Sequence, residues 1–377
     1  MKRIGILGGG QLGRMLLQQA ANYPLETWVM ENDPACPSAS LCQHFVQGDI
    51  RNREDVIAFG QQVDVLTIEI EHVSLEGIQA LEESGKTVFP NSHALGIIRD
   101  KSLQKSFYVE HGIPTAAFKI IQSLAELKAQ ADFLPAVQKL ATGGYDGRGV
   151  QILHSRADMQ KGFDAPSVLE KLIPVHKEIA LIVAIDAQGG QSIFPPVEMV
   201  FYPNLNLLNY QSCPANLSKA ELWKAEAVAL SVARNLCSPG LFAVELLLDT
   251  AGNVFVNETA PRVHNSGHHS IEGNYCSQFD MLLRIVAGYP LGNTEAILPS
   301  LMVNLLGEEG FAGAPRYEGL AEVLQMDNAY VHLYGKRETR PGRKMGHVTL
   351  LGNDRQGLLH KASLVKQMLK VRGEREI

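Results

Sequence analysis

Glu245 and Glu258 stand at mirrored positions around a turn, and that symmetry implies chemistry. Segments 241–249 and 254–258 are rich in β-forming apolar residues, and Thr250-Ala251-Gly252-Asn253 separates them. A hairpin symmetric about this turn pairs residues whose numbers sum to 503: 249 with 254, 247 with 256 and 245 with 258. Directly opposed side chains have Cβ atoms ~4.5–5.5 Å apart, where like charges repel. Apolar surroundings add a desolvation cost. A cation should therefore stand between the two acids. Oxygen ligands with no histidine or thiol alongside point to Mg²⁺, usually shared with substrate phosphates. A slip of one residue would move one acid to the other face and remove the pair.

The stretch after Glu258 extends the site. Thr259-Ala260-Pro261-Arg262-Val263-His264-Asn265-Ser266-Gly267-His268-His269 mixes hydroxyl, guanidinium, imidazole and amide groups. Arg262 suits an oxyanion beside a metal-bound phosphate. His264, His268 and His269 lack an HExxH arrangement, so zinc is not expected. Upstream, Thr142-Gly143-Gly144-Tyr145-Asp146-Gly147-Arg148-Gly149 holds four glycines in eight residues. Its backbone N–H groups can wrap nucleotide phosphates while Lys139 and Arg148 neutralise charge. A hairpin turn with exposed polar residues fits the same composition. Near the end of the chain, 336–344 carries five cations in nine residues. Pro341-Gly342 fixes a turn that can aim Arg343 and Lys344 at a phosphate monoester; such a run is otherwise a solvated face.

These groups need elements to position them. Ile4–Leu7 reads as a buried strand, Arg14–Ala20 as a helix, Thr27–Met30 as a second strand and Val63–Ile68 as a third. The result is a βαβ half with a parallel sheet. Gly8-Gly9-Gly10-Gln11-Leu12-Gly13 lies between the first strand and helix, and Glu31 follows 18 residues after Gly13. This is a dinucleotide fingerprint, and taken alone it fits a nicotinamide dehydrogenase or a tight turn that binds nothing. Asp100-Lys101 opens a helix with Lys105 one turn on, and 113–174 has the short strands and turns of a small lobe. There Ala136–Lys139 is a strand ending in lysine. Val168–Ile173 is another, able to line an adenine pocket with backbone groups, and Glu178 opens a strand where an acid could hold ribose hydroxyls.

A chain of 377 residues allows two or three domains. Its 45% apolar and 20% charged residues exclude a largely disordered protein. The net charge of −6 argues against a general nucleic-acid binder but not against a local anion site. Five cysteines without a CxxC pair give no disulfide framework. No apolar run spans a membrane. Gly8–Gln11 breaks the first apolar stretch, so no signal peptide and a cytoplasmic location are expected.

Five segments together resemble the ATP-grasp superfamily, and within it the bacterial N5-carboxyaminoimidazole ribonucleotide synthetases of purine synthesis. They are Gly-Gly-Gly-Gln-Leu-Gly-Arg-Met (8–15), Glu-Ile-Glu-His-Val (69–73), Gly-Gly-Tyr-Asp-Gly-Arg-Gly (143–149), Asn-Glu-Thr-Ala-Pro-Arg-Val-His-Asn-Ser-Gly-His (257–268) and Arg-Pro-Gly-Arg-Lys-Met-Gly-His (340–347). They occur in the family's order and cover nearly the whole chain. The resemblance implies an ATP-grasp fold in three lobes: an N-terminal Rossmann-like parallel-sheet domain (1–99), a small central lobe (100–174), and an antiparallel C-terminal lobe with its subdomain (175–377). It assigns the glycine-rich first domain to the acceptor substrate and places ATP between the other two.

The implied reaction joins ATP, bicarbonate and 5-aminoimidazole ribonucleotide to give ADP, phosphate and N5-carboxyaminoimidazole ribonucleotide through carboxyphosphate. In this reading Glu245 and Glu258 hold Mg²⁺. Lys101, Lys139 and the glycines Gly143, Gly144 and Gly147 bind phosphates. Glu170, Lys171, Leu172 and Ile173 meet adenine, Glu178 meets ribose, and Asn257 joins the ATP set. Tyr145, Asp146 and Arg148 close over the reacting groups, and Arg262, His264 and Asn265 orient bicarbonate or carboxyphosphate. Gln11, Leu12, Glu71 and His72 line the ribonucleotide site, and Lys336, Arg343 and Lys344 take its phosphate. The resemblance further implies a homodimer whose product passes to a separate mutase. The alternatives are another ATP-grasp ligase, of the formate-dependent glycinamide ribonucleotide formyltransferase or biotin carboxylase type, and an NAD-binding dehydrogenase.

Overall fold

The computed structural model describes residues 1–144, 149–202 and 208–375. Strands β1 (Lys2–Leu7), β2 (Leu25–Glu31), β3 (His44–Gln47), β4 (Val65–Ile68) and β5 (Thr87–Phe89) form a parallel sheet in the order β3-β2-β1-β4-β5. Its central strands β1 and β4 are apolar because both faces are covered. The expected third strand is the fourth. β3 escapes a hydrophobic pattern because it is a short edge strand with exposed His44 and Gln47.

A second, antiparallel sheet runs β6 (Phe118–Ile121), β9 (Ser167–Lys171), β7 (Ala136–Leu140), β8 (Val150–Leu153). The third sheet is larger, and its first strands are β10 (Val175–Ile185), β11 (Gln191–Ile193), β12 (Val197–Phe201), β13 (Leu208–Cys213), β14 (Gly240–Asp249) and β15 (Val254–Ala260). It continues through β16 (Ser300–Leu306), β18 (Ala329–Leu333) and β19 (Lys344–Leu351), while β17 (Phe311–Glu318) pairs separately with β20 (Lys370–Arg375). The path β15-β14-β10-β12-β13-β16-β19-β18 is antiparallel throughout, and β11 adds to β10.

Period-two alternation decides what each face of this sheet does. Val244, Leu246 and Leu248 of β14, with Ile179, Leu181 and Val183 of β10, pack on helix Lys219–Asn235. That helix presents Ala225, Ala229 and Ala233, whose small side chains allow close approach, and a Ser218–Glu221 capping box starts it. On the opposite face, Leu241, Ala243, Ile182 and Ala184 join helix Gln278–Ala287 and helix Gln11–Ala20 in a core drawn from all three thirds of the chain. Beyond Ala243 and Ala180, that same face becomes acidic.

The β14–β15 hairpin corrects the expected register and preserves its consequence. Leu248 pairs with Val254, Leu247 with Phe255 and Leu246 with Val256, so 249–254 and 247–256 are not partners. Asp249 belongs to the turn instead: its carboxylate accepts from the N–H groups of Ala251 and Asn253, and Gly252 takes φ +77°. A bulge between Glu245 and Leu246 then absorbs one residue, and Glu245 faces Glu258 after all. Asn257 is the extra residue. A bulge sets two consecutive residues against one partner, so Asn257 and Glu258 both reach Glu245's side; the Asn257 amide donates to Glu245 Oε2 (3.4 Å).

Candidate active site

Three carboxylates share the acidic end of that face: Glu245, Glu258 and, two strands over from β15, Glu178. Burial pushes the Glu245 carboxyl up, and repulsion from Glu258 and Glu178 adds to it. Glu258 is held low, chiefly by Lys101. Burial also raises Glu178, with Lys139 opposing. Among the described residues no group of three or more His, Cys, Asp or Glu is arranged to enclose a metal. Two carboxylates and an amide oxygen are hard donors that leave most of a coordination shell to water and phosphate, which fits Mg²⁺.

One helix supplies the counter-charges. Asp100 caps helix Lys101–Glu110, accepting from the N–H groups of Ser102 and Leu103. Lys101 and Lys105, one turn apart, lie on one face. Lys101 pairs with Glu258 of β15, and Lys105 with Glu170 of β9 (2.8 Å). Lys139 of β7 reaches Glu170 (3.0 Å) and the Asn257 oxygen (2.6 Å). Burial opposes the charge of Glu170, but Lys139 and Lys105 outweigh it and hold its pKa below the ordinary value. Burial lowers Lys105 to about 8 despite Glu170. The small sheet thus meets the acidic face through lysines that bridge both. Lys105 was absent from the expected site; its signal was the four-residue spacing from Lys101.

Arg262 forms a two-point ion pair with Glu71, Nε to Oε2 at 2.5 Å and Nη2 to Oε1 at 3.1 Å. These two residues, expected on different ligands, are therefore each other's partner. His264 accepts at Nδ1 from Ser266 N–H (3.3 Å), leaving the neutral ring's proton on Nε2, 3.7 Å from Glu245 Oε1. Burial, with Arg262 and Lys344, depresses His264 to about 4. Gln278 holds this loop in place: its oxygen accepts from His264 N–H (2.8 Å), and its amide donates to His264 O (2.8 Å). No sequence motif marks Gln278. Gln211 donates to the carbonyls of Asn265 and Ser266, while the buried Asn265 Oδ1 has no partner.

The fingerprint loop is occupied from within. Gly9 N–H donates to Glu31 (3.0 Å), and Gly10 and Gly13 N–H groups donate to the two oxygens of Glu69 (2.8 and 3.0 Å). The dehydrogenase reading needs those donors and Glu31 for a dinucleotide, so it fails. Gln11 begins the helix, and the Leu12 side chain lies in the core rather than lining a site. His72 is exposed.

Other expected residues are placed as follows. Lys171 turns away, donating to the carbonyls of Phe133 (3.1 Å) and Leu134 (2.9 Å). The N–H groups of Lys171 and Leu172 donate to Ala117 O (2.7 Å) and Pro135 O (3.1 Å). This narrows any base contact in that segment to its carbonyls and to Ile173. Gly143 takes φ +76° at the start of the glycine loop, followed by Gly144. Tyr145, Asp146, Gly147 and Arg148 lie outside the described residues. Lys336 donates to the carbonyl of Lys344 (2.7 Å) and lies over the Tyr334 ring (5.7 Å), and Arg343 donates to Glu338 O (2.8 Å). Lys344 opens β19 and acts electrostatically on His264 and His268.

Comparison with known proteins places this geometry. Residues 1–99 match the ribonucleotide synthetase preATP-grasp domain, 106–279 the ATP-grasp domain and 300–361 the phosphoribosylaminoimidazole carboxylase C-terminal domain. The chain is 36% identical over 365 residues to a chloroplastic phosphoribosylaminoimidazole carboxylase of Vigna aconitifolia, covering 93% of this chain and 64% of that relative's length. It is 35% identical over 374 residues to an N5-carboxyaminoimidazole ribonucleotide synthase of Pseudomonas aeruginosa, covering 98% of this chain and 99% of that protein. A crystal structure of the synthetase from Thermotoga maritima superposes with a TM-score of 0.91 at 35% identity, over 99% of this chain and 100% of that one. The enzyme from Aspergillus clavatus in complex with ADP and 5-aminoimidazole ribonucleotide superposes with a TM-score of 0.87 at 30% identity, over 97% and 98%.

Proposed function

The chain belongs to the ATP-grasp family of N5-carboxyaminoimidazole ribonucleotide synthases, and from that membership we propose its reaction and the residues that perform it. It is a carbon–nitrogen ligase of purine biosynthesis. It uses ATP and bicarbonate to carboxylate the exocyclic amine of 5-aminoimidazole ribonucleotide, releasing ADP and phosphate. The single observation that carries the residue assignment is the set Glu245, Asn257 and Glu258 on one face, beside Lys101 and Lys139.

ATP lies between the small sheet and the acidic face. Glu245, Glu258 and the Asn257 oxygen would hold Mg²⁺, which when bound neutralises phosphate charge. Lys101 and Lys139 bind the phosphates, with Gly143, Gly144 and the rest of the glycine loop over them. Glu178 takes the ribose, and the carbonyls of 170–172 and Ile173 take the base. Bicarbonate attacks the γ-phosphorus while Arg262, His264 and Asn265 orient it. Neutral His264 donates from Nε2 rather than carrying a charge of its own. Tyr145, Asp146 and Arg148 close over the site and exclude water, which protects carboxyphosphate from hydrolysis. The amine nitrogen then takes the carboxyl carbon, and phosphate leaves.

The ribonucleotide lies by Glu71 and His72, its phosphate held by Gln11 and Leu12 through backbone N–H groups and by Lys336, Arg343 and Lys344. The first turn of a helix offers such donors. Lobes 1–99, 100–174 and 175–377 divide these tasks. The reading extends to a cytoplasmic homodimer that hands its product to a separate mutase; light scattering after size-exclusion chromatography tests the dimer. ADP release measured with each substrate alone and together tests the function. Release should rise when bicarbonate and the ribonucleotide are both supplied, and an unchanged rate would overturn the proposal.

A further inference from the structure

The proposed reaction leaves the glycine N–H groups of the dinucleotide fingerprint unused. Three of them point at carboxylates of the same chain, two at Glu69. Glu69 is only 8% exposed. It presses into the loop so closely that a Cβ on Gly8 or Gly10 would lie 2.5 or 2.6 Å from its side chain. Gly8 adopts φ +103°, which lets the loop fold around that carboxylate. A pyrophosphate in a fingerprint of this kind sits on those N–H groups at the helix N-terminus. The Glu69 carboxylate takes that place, and Glu31 beside it adds a second negative charge.

We infer that Glu69 is a specificity-determining residue: a built-in anion that fills the pyrophosphate position and leaves the start of helix Gln11–Ala20 room for a phosphate monoester only. The inference rests on the proposed role of Gln11 and Leu12 in holding the ribonucleotide. Its consequence concerns ATP, which the enzyme must bind between two lobes and refuse in the third. A fold whose glycine loop suits polyphosphates would otherwise let the co-substrate compete with the acceptor.

The test uses the full chain with its ATP site filled by a non-hydrolysable Mg-ATP analogue. NAD is then titrated by calorimetry. Wild type should take up none, and Glu69→Ala should bind it. In steady state, millimolar ATP should raise the apparent KM for the ribonucleotide about tenfold in Glu69→Ala and not in wild type. Added acetate should restore the wild-type pattern by refilling the vacated carboxylate position, and the competition of ATP against the ribonucleotide is the readout that a purely structural role would not move. NAD binding by wild type overturns the inference whether or not the variant folds. A folded variant that neither binds NAD nor shows ATP competition also overturns it. Those outcomes leave ADP release by wild type untouched, so failure of this inference is distinct from failure of the proposed reaction.

Discussion

Arg262 and Glu71 meet across 191 residues of sequence, with two nitrogens of one on two oxygens of the other. Glu71 closes the Glu69-Ile70-Glu71 run that follows β4, and Arg262 follows the second acid of the hairpin. Their side chains are 16% and 25% exposed. Breaking a buried pair by removing one partner costs ~3–5 kcal/mol. For Glu71→Gln we expect a lower melting temperature and a kcat/KM for the ribonucleotide reduced about 100-fold. Unaltered kinetics in coupled ADP-release assays would remove the pair from the site.

Stability and activity should part company at Glu245. Its pKa is raised by burial and then by its neighbours Glu258 and Glu178, so its charge is unfavourable in the resting fold. Glu245→Gln should therefore melt no lower than wild type, yet lose turnover by about 10³-fold or more. In wild type Mg-ADP should raise the melting temperature, and in the variant it should not. A variant that is both active and stabilised by Mg-ADP sinks the assignment. Glu258→Gln should also abolish turnover with the fold intact.

The bulge predicts a role for Asn257. Asn257→Ala removes an acceptor from Lys139 and a donor from Glu245. We expect KM for Mg-ATP to rise about tenfold, with the ribonucleotide KM little changed. Equal effects on both substrates would argue that the bulge shapes the whole site rather than the nucleotide side.

Lys105 should matter for folding first. It is almost fully buried and holds Glu170 and the Thr115 hydroxyl (2.7 Å). Lys105→Met strands half of the charge of Glu170, leaving Lys139 alone to balance it. A loss of ~3 kcal/mol or more in urea unfolding is expected. A neutral outcome would mean that Lys139 alone satisfies the carboxylate.

Acid should unfold the protein through its histidines. His268, His269 and His347 are buried, and burial lowers all three, His269 to about 4 from an ordinary 6.5. His264, His332 and Lys344 press the same way on His268. Tyr334 and Gln278 supply hydrogen bonds, and Glu272 pairs with His332. In the window between folded and unfolded pKa the unfolded chain binds more protons, so stability falls as pH falls. It should be full above about pH 6.5 and drain away toward pH 4. Calorimetric melting from pH 7 to 5 checks this, and His269→Gln should flatten the slope. A melting temperature independent of pH in that range would contradict it.

Much of this was legible in the sequence because composition and period determine it: β1, β4, β7, β10, the hairpin and the lysine-bearing helix. The acid pair was also legible, although for an incomplete reason. The turn closes one residue earlier than symmetry suggests, and a bulge restores the pairing. Turn chemistry at Asp249 and the bulge at Asn257 are both decided by hydrogen bonds that a pattern of apolar residues does not encode. The fingerprint misled for a related cause. Glycine spacing shows where an anion sits, but not whether that anion is a ligand or a side chain such as Glu69, 59 residues from Gly10. Gln278 and β3 left no signal, one because it holds a loop backbone and a buried histidine from a distance in sequence, the other because an edge strand needs no apolar face.

The long antiparallel path carries a last consequence. β13 is bonded directly to β16, with Gln211 opposite Met302 and Cys213 opposite Ser300. The segment matched as a C-terminal domain begins at residue 300, on β16 itself. It is therefore woven into the lobe rather than hung from it. A chain cut at 299 would bare a raw strand edge along β13 and invite aggregation. Such a piece cannot be traded between proteins by simple appending, and the unit that recombination can move intact is the whole lobe.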